Sequence, residues 1–387
     1  MSPGRTALVA VAAQAAIGLG TLAARPRSSI DDTYIYHHYA TLVLSGRVPY
    51  RDFAVEYPPL ALPVIVAPAL VARDLQSYRI VFGFEMISCQ VATALLVAAW
   101  AGPGGRSARA LAWFTLFAAL QERLILARFD AWPALLAFAA ALAWSSGRGG
   151  MGGFLAALGT LAKVFPALVA GFAPFASPGG SRRRGAVAFV ATMAVGVGLW
   201  RVVAGWPGVA ATLDYHIGRG IEYGSVLSCA QMLAAKLAGA SIVVGRDHVS
   251  FSTTTPWTPA LVRLALPLQA GLLLVVWGTF VARGSRELPR YCAAALFAFI
   301  LGGKVFSPQY LIWPIPFLAA LDGPAAPRAR LLFAAGLVAT TLAPSLMHVL
   351  GRTNLYVILA YNAKNLVFLS LLAWLTFGPP GKVLSAE

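Results

Sequence analysis

Apolar runs of about 18–24 residues, each long enough to cross a bilayer as a helix, recur along this chain between short polar stretches. They predict helices over 7–24, 79–101, 108–127, 131–146, 185–204, 260–283, 329–349 and 354–377. Two further stretches, 151–176 and 291–321, begin and end at basic loops, so each must go out and return as a pair of short helices. Such runs are too long and too uniformly apolar for barrel strands. The predicted fold class is all-α, a polytopic bundle of about 10–12 membrane helices including the two hairpins. The first run ends in Ala-rich sequence before Arg25 and also admits a signal peptide. An uncleaved helix is preferred, because cleavage would leave the acidic loop that follows without its anchor.

The hairpin tips are alike: Lys163-Val164-Phe165-Pro166 and Lys304-Val305-Phe306-Ser307-Pro308. Proline removes a backbone donor and breaks the helix. A broken helix at membrane depth is tolerated only where it is buried in protein or lines a cavity. Two lysines at two such tips suggest a cationic pocket opening outward.

The polar segments have their own pattern. Within 25–78, Asp32, Tyr36 and Tyr39 fall on one face of a helix, with Ile35 and Leu42 alongside. This predicts a short helix on the membrane surface, ended near Gly46. Residues 60–72 are apolar but short and contain Pro63 and Pro68, which suits an interfacial or re-entrant helix. A second outer segment, 205–259, reads as a structured stretch followed by a Ser/Thr/Pro-rich loop at 250–259. The chain, 1–387, is read as a single membrane domain, with 25–78 and 205–259 as its large outer loops.

Composition sharpens the picture. The 387 residues are 59% hydrophobic and 11% charged, with a mean hydropathy of +0.73. A soluble domain would carry about a quarter charged residues. The net charge of +16 does not imply a nucleic-acid partner, because the basic residues, Arg182-Arg183-Arg184 among them, fall mostly in short loops. That distribution fixes orientation in the plasma membrane, with both termini cytoplasmic. Eleven of fourteen acids map to the outer loops or the outward half; Glu287, Asp322 and Glu387 do not. The chemistry is therefore expected to face out. Cys89, Cys229 and Cys292 form no disulfide or metal pattern. His37, His38 and His216 lack ligand spacing; no cofactor is implied, and a divalent metal stays open.

Carboxylates at a membrane surface are costly to desolvate and tend to serve chemistry or transport. Asp31 and Asp32 fit that role, and either also fits a helix cap before Thr33. Glu56, in Glu56-Tyr57-Pro58-Pro59, suits substrate contact or pairing with Arg51. Arg128-Phe129-Asp130 suits a site or a local ion pair. Lys163 and Lys304 lie deep in apolar runs, where charge is expensive, and Lys364 follows the same logic unless it sits at the outer interface. A carboxylate can take a proton from an incoming hydroxyl, while lysine and arginine stabilise a departing phosphate. Outward acids opposite cations, walled by the bilayer, suit sugar transfer from a polyprenyl phosphate.

With these residues in view, the chain resembles the GT-C superfamily of membrane glycosyltransferases. It is most similar to the family 87 polyprenyl-phosphate-mannose-dependent α-mannosyltransferases of actinobacteria. The strongest match runs from Asp32-Thr33-Tyr34-Ile35-Tyr36 through Gly46-Arg47-Val48-Pro49-Tyr50-Arg51-Asp52-Phe53 to Glu56-Tyr57-Pro58-Pro59. Others are Arg128-Phe129-Asp130-Ala131-Trp132-Pro133, Lys163-Val164-Phe165-Pro166, Arg219-Gly220-Ile221-Glu222 and Ser307-Pro308-Gln309-Tyr310-Leu311-Ile312-Trp313. The resemblance implies an inverting transferase with Asp32 as catalytic base and Asp31 beside it. Tyr36, His38, Glu56, Tyr57, Arg128, Asp130, Lys163, His216, Arg219, Lys304, Gln309, Tyr310 and Lys364 are its candidate substrate-binding residues. It also implies a polyprenyl-phosphate donor and a glycolipid or glycan acceptor, recognised by outer loops because no soluble C-terminal domain follows.

A transporter or flippase of a lipid-linked sugar would also use broken helices and buried lysines. Against it, the acids cluster in an outer loop and not at the midplane. A non-catalytic assembly or sensor protein leaves that polar loop unexplained.

Overall fold

The computed structural model describes residues 3–24, 31–177, 179–247 and 250–380. The expectations for Arg25 and the rest of 25–30, for the side chain of Asp247 and for Glu387 lie outside the described residues.

In chain order the helices are α1 (Pro3–Ala23), α2 (Asp32–Leu44), α3 (Leu62–Val66), α4 (Leu75–Ala101) and α5 (Gly105–Ile125). Then come α6 (Ala131–Ser145), α7 (Gly149–Ala162), α8 (Pro166–Phe172), α9 (Gly179–Gly218) and α10 (Val226–Ala238). After strands β1 (Val243–Asp247) and β2 (Ser250–Thr254) follow α11 (Thr258–Ala282), α12 (Leu288–Gly302), α13 (Ile315–Ala319), α14 (Ala326–Leu350) and α15 (Leu355–Phe377). Among the described residues, α4, α9, α11, α14 and α15 are long and apolar enough to cross a membrane. The predicted polytopic helical class is the one observed. The chain forms two compact units, Met1–Ile217 with Ile315–Ala320, and Gly218–Pro314 with Leu321–Glu387.

In the first unit α1, α4 and α5 pack together around a polar knot. Gln90 Nε2 donates to Glu122 at 3.1 Å, Gln14 Nε2 reaches the same carboxylate at 3.3 Å, and Gln14 also bonds Gln90. All three are buried, so each depends on the others for polar partners. The 151–176 stretch breaks where expected. Lys163 leaves α7 with extended backbone, and Pro166 opens α8. A Cβ on Gly153 would run into the carbonyl of Gly185, so α7 and α9 touch through backbone. The predicted span 185–204 ends at a real kink, because Gly205 takes φ +66 and Pro207 follows it. Beyond that kink, however, the chain stays helical to Gly218.

In the second unit, α12 is buried all round, with 14 of its 15 residues inaccessible. The Ser/Thr/Pro-rich stretch expected to be a loop is instead partly strand β2, paired antiparallel with β1 from Val243–Thr254 to Asp247–Ser250. β-Branched and aromatic residues there favour extended chain. The hairpin is bound to α10 by side chains: Gln231 Nε2 donates to Thr253 Oγ1 at 2.9 Å, and Ser228 Oγ meets the same hydroxyl at 2.7 Å. Cys229, expected in an outer loop, is buried in α10 beside Met232 and Val357.

The end of α15 is closed by arginines. Arg290, 1% exposed, donates to the carbonyls of Leu375 (2.5 Å), Gly378 (2.7 Å) and Pro379 (2.9 Å), and Arg283 also reaches Gly378 (2.8 Å). Cations suit a helix C-terminus. Arg290→Ala would strand these buried carbonyls and is expected to destabilise the protein by about 2–4 kcal/mol. Thermal unfolding in detergent checks this, and an unchanged midpoint would contradict it.

Candidate active site

Helix α2 starts where it does because Asp31, in extended backbone, caps it. Its carboxylate accepts the Thr33 N–H at 3.1 Å and the Thr33 hydroxyl. Asp32 is the first helical residue, where a negative charge is favoured by the helix dipole. It forms an ion pair with Arg128, and the two side chains are 11% and 21% exposed. Asp31 thus caps the helix, and Asp32 faces a cation. Arg79 Nε donates to Thr33 Oγ1 at 3.2 Å, bringing a second, buried guanidinium from α4.

In the Arg128-Phe129-Asp130 turn the two charges also have distant partners, Arg128 in Asp32 and Asp130 in Lys163. Asp130 stands before α6 without capping it; its buried carboxylate accepts from Lys163 Nζ at 2.7 Å. The Lys163 ammonium also lies over the rings of Phe129 (5.0 Å) and Tyr57 (5.7 Å). The expected lysine at the hairpin tip is therefore paired with a carboxylate of the Arg128-Phe129-Asp130 turn. Tyr36 is fully buried against Tyr57 (6.0 Å), Phe82 (5.5 Å) and Phe129 (5.8 Å). Burial, then the Asp130 charge, holds its phenol well above the ordinary range, so it stays neutral. Burial and then Glu56 push the Tyr39 phenol up to about 12.

The loop after α2 is latched in place. Asp52 accepts the Val48 N–H at 2.7 Å and pairs with Arg51 at 3.0 Å, so Arg51 has its acidic partner in Asp52 and not in Glu56. Tyr50, at φ +67, donates its hydroxyl to the Tyr57 carbonyl at 2.8 Å. A tyrosine in the left-handed region is uncommon and is held there by these contacts. His216 Nε2 lies 3.0 Å from the Glu56 carbonyl, and Thr212 Oγ1 donates to Val55 O at 3.0 Å. His38 is exposed, with its ring against Tyr39 at 6.5 Å, and stands off this cluster.

The remaining candidates belong to the second unit. Glu222 N donates to the Lys304 carbonyl at 2.8 Å; Arg219 donates to Ser250 Oγ at 2.9 Å and lies 3.9 Å from Glu222. Lys364, on α15, is buried in protein. Its ammonium donates to the Gly224 carbonyl at 3.0 Å and lies 3.9 Å from the Phe306 ring centre. Tyr310 stacks on Trp313 at 4.3 Å, and Gln309 is half-buried on the same turn. Among the described residues no three His, Cys, Asp or Glu gather as a metal site.

Comparison with known families settles the class, since the sequence profile of glycosyltransferase family 87 matches residues 55–308. The chain belongs to that family. Its fold is similar to crystal structures of ArnT from Cupriavidus metallidurans, one bound to undecaprenyl phosphate and one in the apo state. Each match has a TM-score of 0.52 and 15% identity, covering 95% of this chain and 76% of that one. At that identity the likeness establishes the fold alone, one of the ArnT kind. No curated protein matches the sequence. In this family 87 glycosyltransferase, Asp31, Asp32 and Tyr36 precede the matched stretch, and Gln309, Tyr310 and Lys364 follow it. For Asp31, Asp32 and Tyr36 the geometry at the start of α2 is what speaks. Arg79 and Thr33 were missed by sequence reasoning. The available signal was an arginine at the start of an otherwise apolar run.

Proposed function

We propose that this glycosyltransferase moves a sugar, mannose in the first instance, from a polyprenyl-phosphate donor to a lipid-linked or cell-envelope glycan. Transfer takes place at the outer face of the plasma membrane. The observation that carries the reading is the Asp32–Arg128 pair at the start of α2, with Arg79 one residue away on Thr33. Arg128 holds the Asp32 carboxylate in place at the start of α2. The acceptor oxygen attacks the anomeric carbon, Asp32 takes the hydroxyl proton, and the carbon–oxygen bond to phosphate breaks with inversion. The polyprenyl phosphate leaves with the bonding electrons, and the guanidinium groups offset its charge. Lys163 acts by holding Asp130 and the Phe129 turn behind them. The undecaprenyl phosphate named with the ArnT structure supports the donor class.

Membership of a glycosyltransferase family weighs against the transporter reading. Purified protein given a panel of labelled polyprenyl-phosphate sugars, nucleotide sugars and lipid acceptors tests the choice. Label should pass from a polyprenyl-phosphate sugar to a lipid acceptor. Transfer from nucleotide sugars alone would overturn the donor assignment, and movement of intact lipid-linked sugar across vesicles without transfer would restore the transporter.

The segregation of basic from acidic loops supports an outward-facing site. In intact cells, a cysteine introduced as Arg183→Cys should resist impermeant maleimide, and its labelling from outside would reverse the orientation.

A further inference from the structure

Two guanidinium groups of the candidate site are delivered by helix ends. Arg79 lies in the second turn of α4, and Arg128 stands three residues past the end of α5. Both helices pack on α1 and on each other. Lipid tails are as apolar as leucine, so apolar contact between membrane helices does little to choose one register over another. Buried polar groups that must find each other do choose. The Gln14–Gln90–Glu122 knot supplies one such group from each of the three helices, exposed by 0%, 3% and 3%. The Glu122 carboxylate accepts from Gln90 Nε2 at 3.1 and 3.2 Å and from Gln14 Nε2 at 3.3 Å. A slip of one residue would turn a side chain by about 100° and leave buried polar atoms unpaired. The fit is also steric. A Cβ on Gly18 would lie 2.7 Å from Ile87 and 3.2 Å from Glu122 Oε1, and one on Gly83 would lie 2.7 Å from Leu22.

We propose that Gln14, Gln90 and Glu122 are positioning residues for sugar transfer. By fixing the register of α1, α4 and α5, they set where Arg79 and Arg128 stand against Thr33 and Asp32. The role rests on the reading of Asp32 and Arg128 given above. The path from knot to site is short and stiff. Gln90 and Arg79 are joined by unbroken helix, a rise of about 16 Å. Glu122 is on the last turn of α5; its carbonyl accepts the Leu126 N–H at 3.0 Å, and the Arg128 N–H reaches Ile125 O at 3.5 Å.

The test measures kcat and donor KM per folded protein, with the whole chain in nanodiscs and the polyprenyl-phosphate sugar that the donor panel selects. Glu122→Leu and Gln90→Leu should each lower kcat about 10–100-fold, since a misplacement of about 1 Å suffices. Donor KM should move by less than about twofold, as for an interaction realised in the transition state. Glu122→Gln keeps the size and an acceptor oxygen and should restore most of the turnover. Thr93→Val, on α4, removes a buried hydroxyl that bonds the Cys89 carbonyl of its own helix at 2.7 Å, and should leave kcat unchanged. Residues that act through one another are non-additive, so Glu122→Leu added to Arg128→Ala should cost nothing beyond Arg128→Ala alone. A full independent loss in that double variant, or near-normal kcat in the two leucine variants, would overturn the proposal. Where a leucine variant does not assemble, Gln14→Met, which removes one arm of the knot, carries the same comparison. Loss of transfer in Asp32→Asn with normal kcat in the knot variants removes the knot alone. Intact transfer in Asp32→Asn removes the reading on which it rests.

Discussion

Asp32→Asn lowers sugar transfer by about 10²–10⁴-fold, the usual contribution of a general base, while donor binding persists. The amide keeps the size and the helix position but cannot accept the acceptor proton. Asp31→Asn serves as the internal comparison. Asparagine caps a helix about as well as aspartate, so a residue whose carboxylate accepts the Thr33 N–H should tolerate the change. Steady-state turnover of the two variants with one donor distinguishes them. Normal turnover in Asp32→Asn with loss in Asp31→Asn would exchange the roles. If neither variant matters, the carboxylates are structural.

Lys163→Met is expected to cost stability before it costs chemistry. It leaves the Asp130 carboxylate, 0% exposed, without the ammonium that now lies 2.7 Å away. Removing one partner of a buried pair typically costs about 3–5 kcal/mol. The double variant Lys163→Met with Asp130→Asn removes both charges and should recover most of that loss in thermal unfolding. If the double variant is no more stable than the single, the pair is not what holds the hairpin tip. If it folds well but needs far more donor, Lys163 touches phosphate directly, as the sequence suggested.

The helical class and most span positions were legible because apolar runs report membrane crossing directly. The break at Lys163–Pro166 and the kink at Gly205 were legible because proline and glycine have local consequences. The surface helix ended close to where Gly46 indicated, since α2 stops at Leu44. Other features depended on residues far apart in sequence. No local pattern says that Arg128 will find Asp32 across 96 positions, leaving Asp130 for Lys163. The β1–β2 hairpin was hidden because its serines and threonines read as loop until Gln231 and Ser228 supply partners. Lys364 looked ambiguous between interface and interior because only Gly224 and Phe306 show it to be enclosed. Arg79 was overlooked for the same reason, its meaning lying in Thr33 on another helix.

The most direct test of carboxylate-assisted transfer from a lipid phosphate is the anomeric configuration of the product. A β-linked polyprenyl-phosphate mannose labelled with carbon-13 at the anomeric position, incubated with the purified protein and a lipid acceptor, can be followed by NMR. Single displacement with Asp32 as base predicts an α-linked product and release of polyprenyl phosphate. A β-linked product, or an untouched donor while another sugar source is consumed, would contradict it.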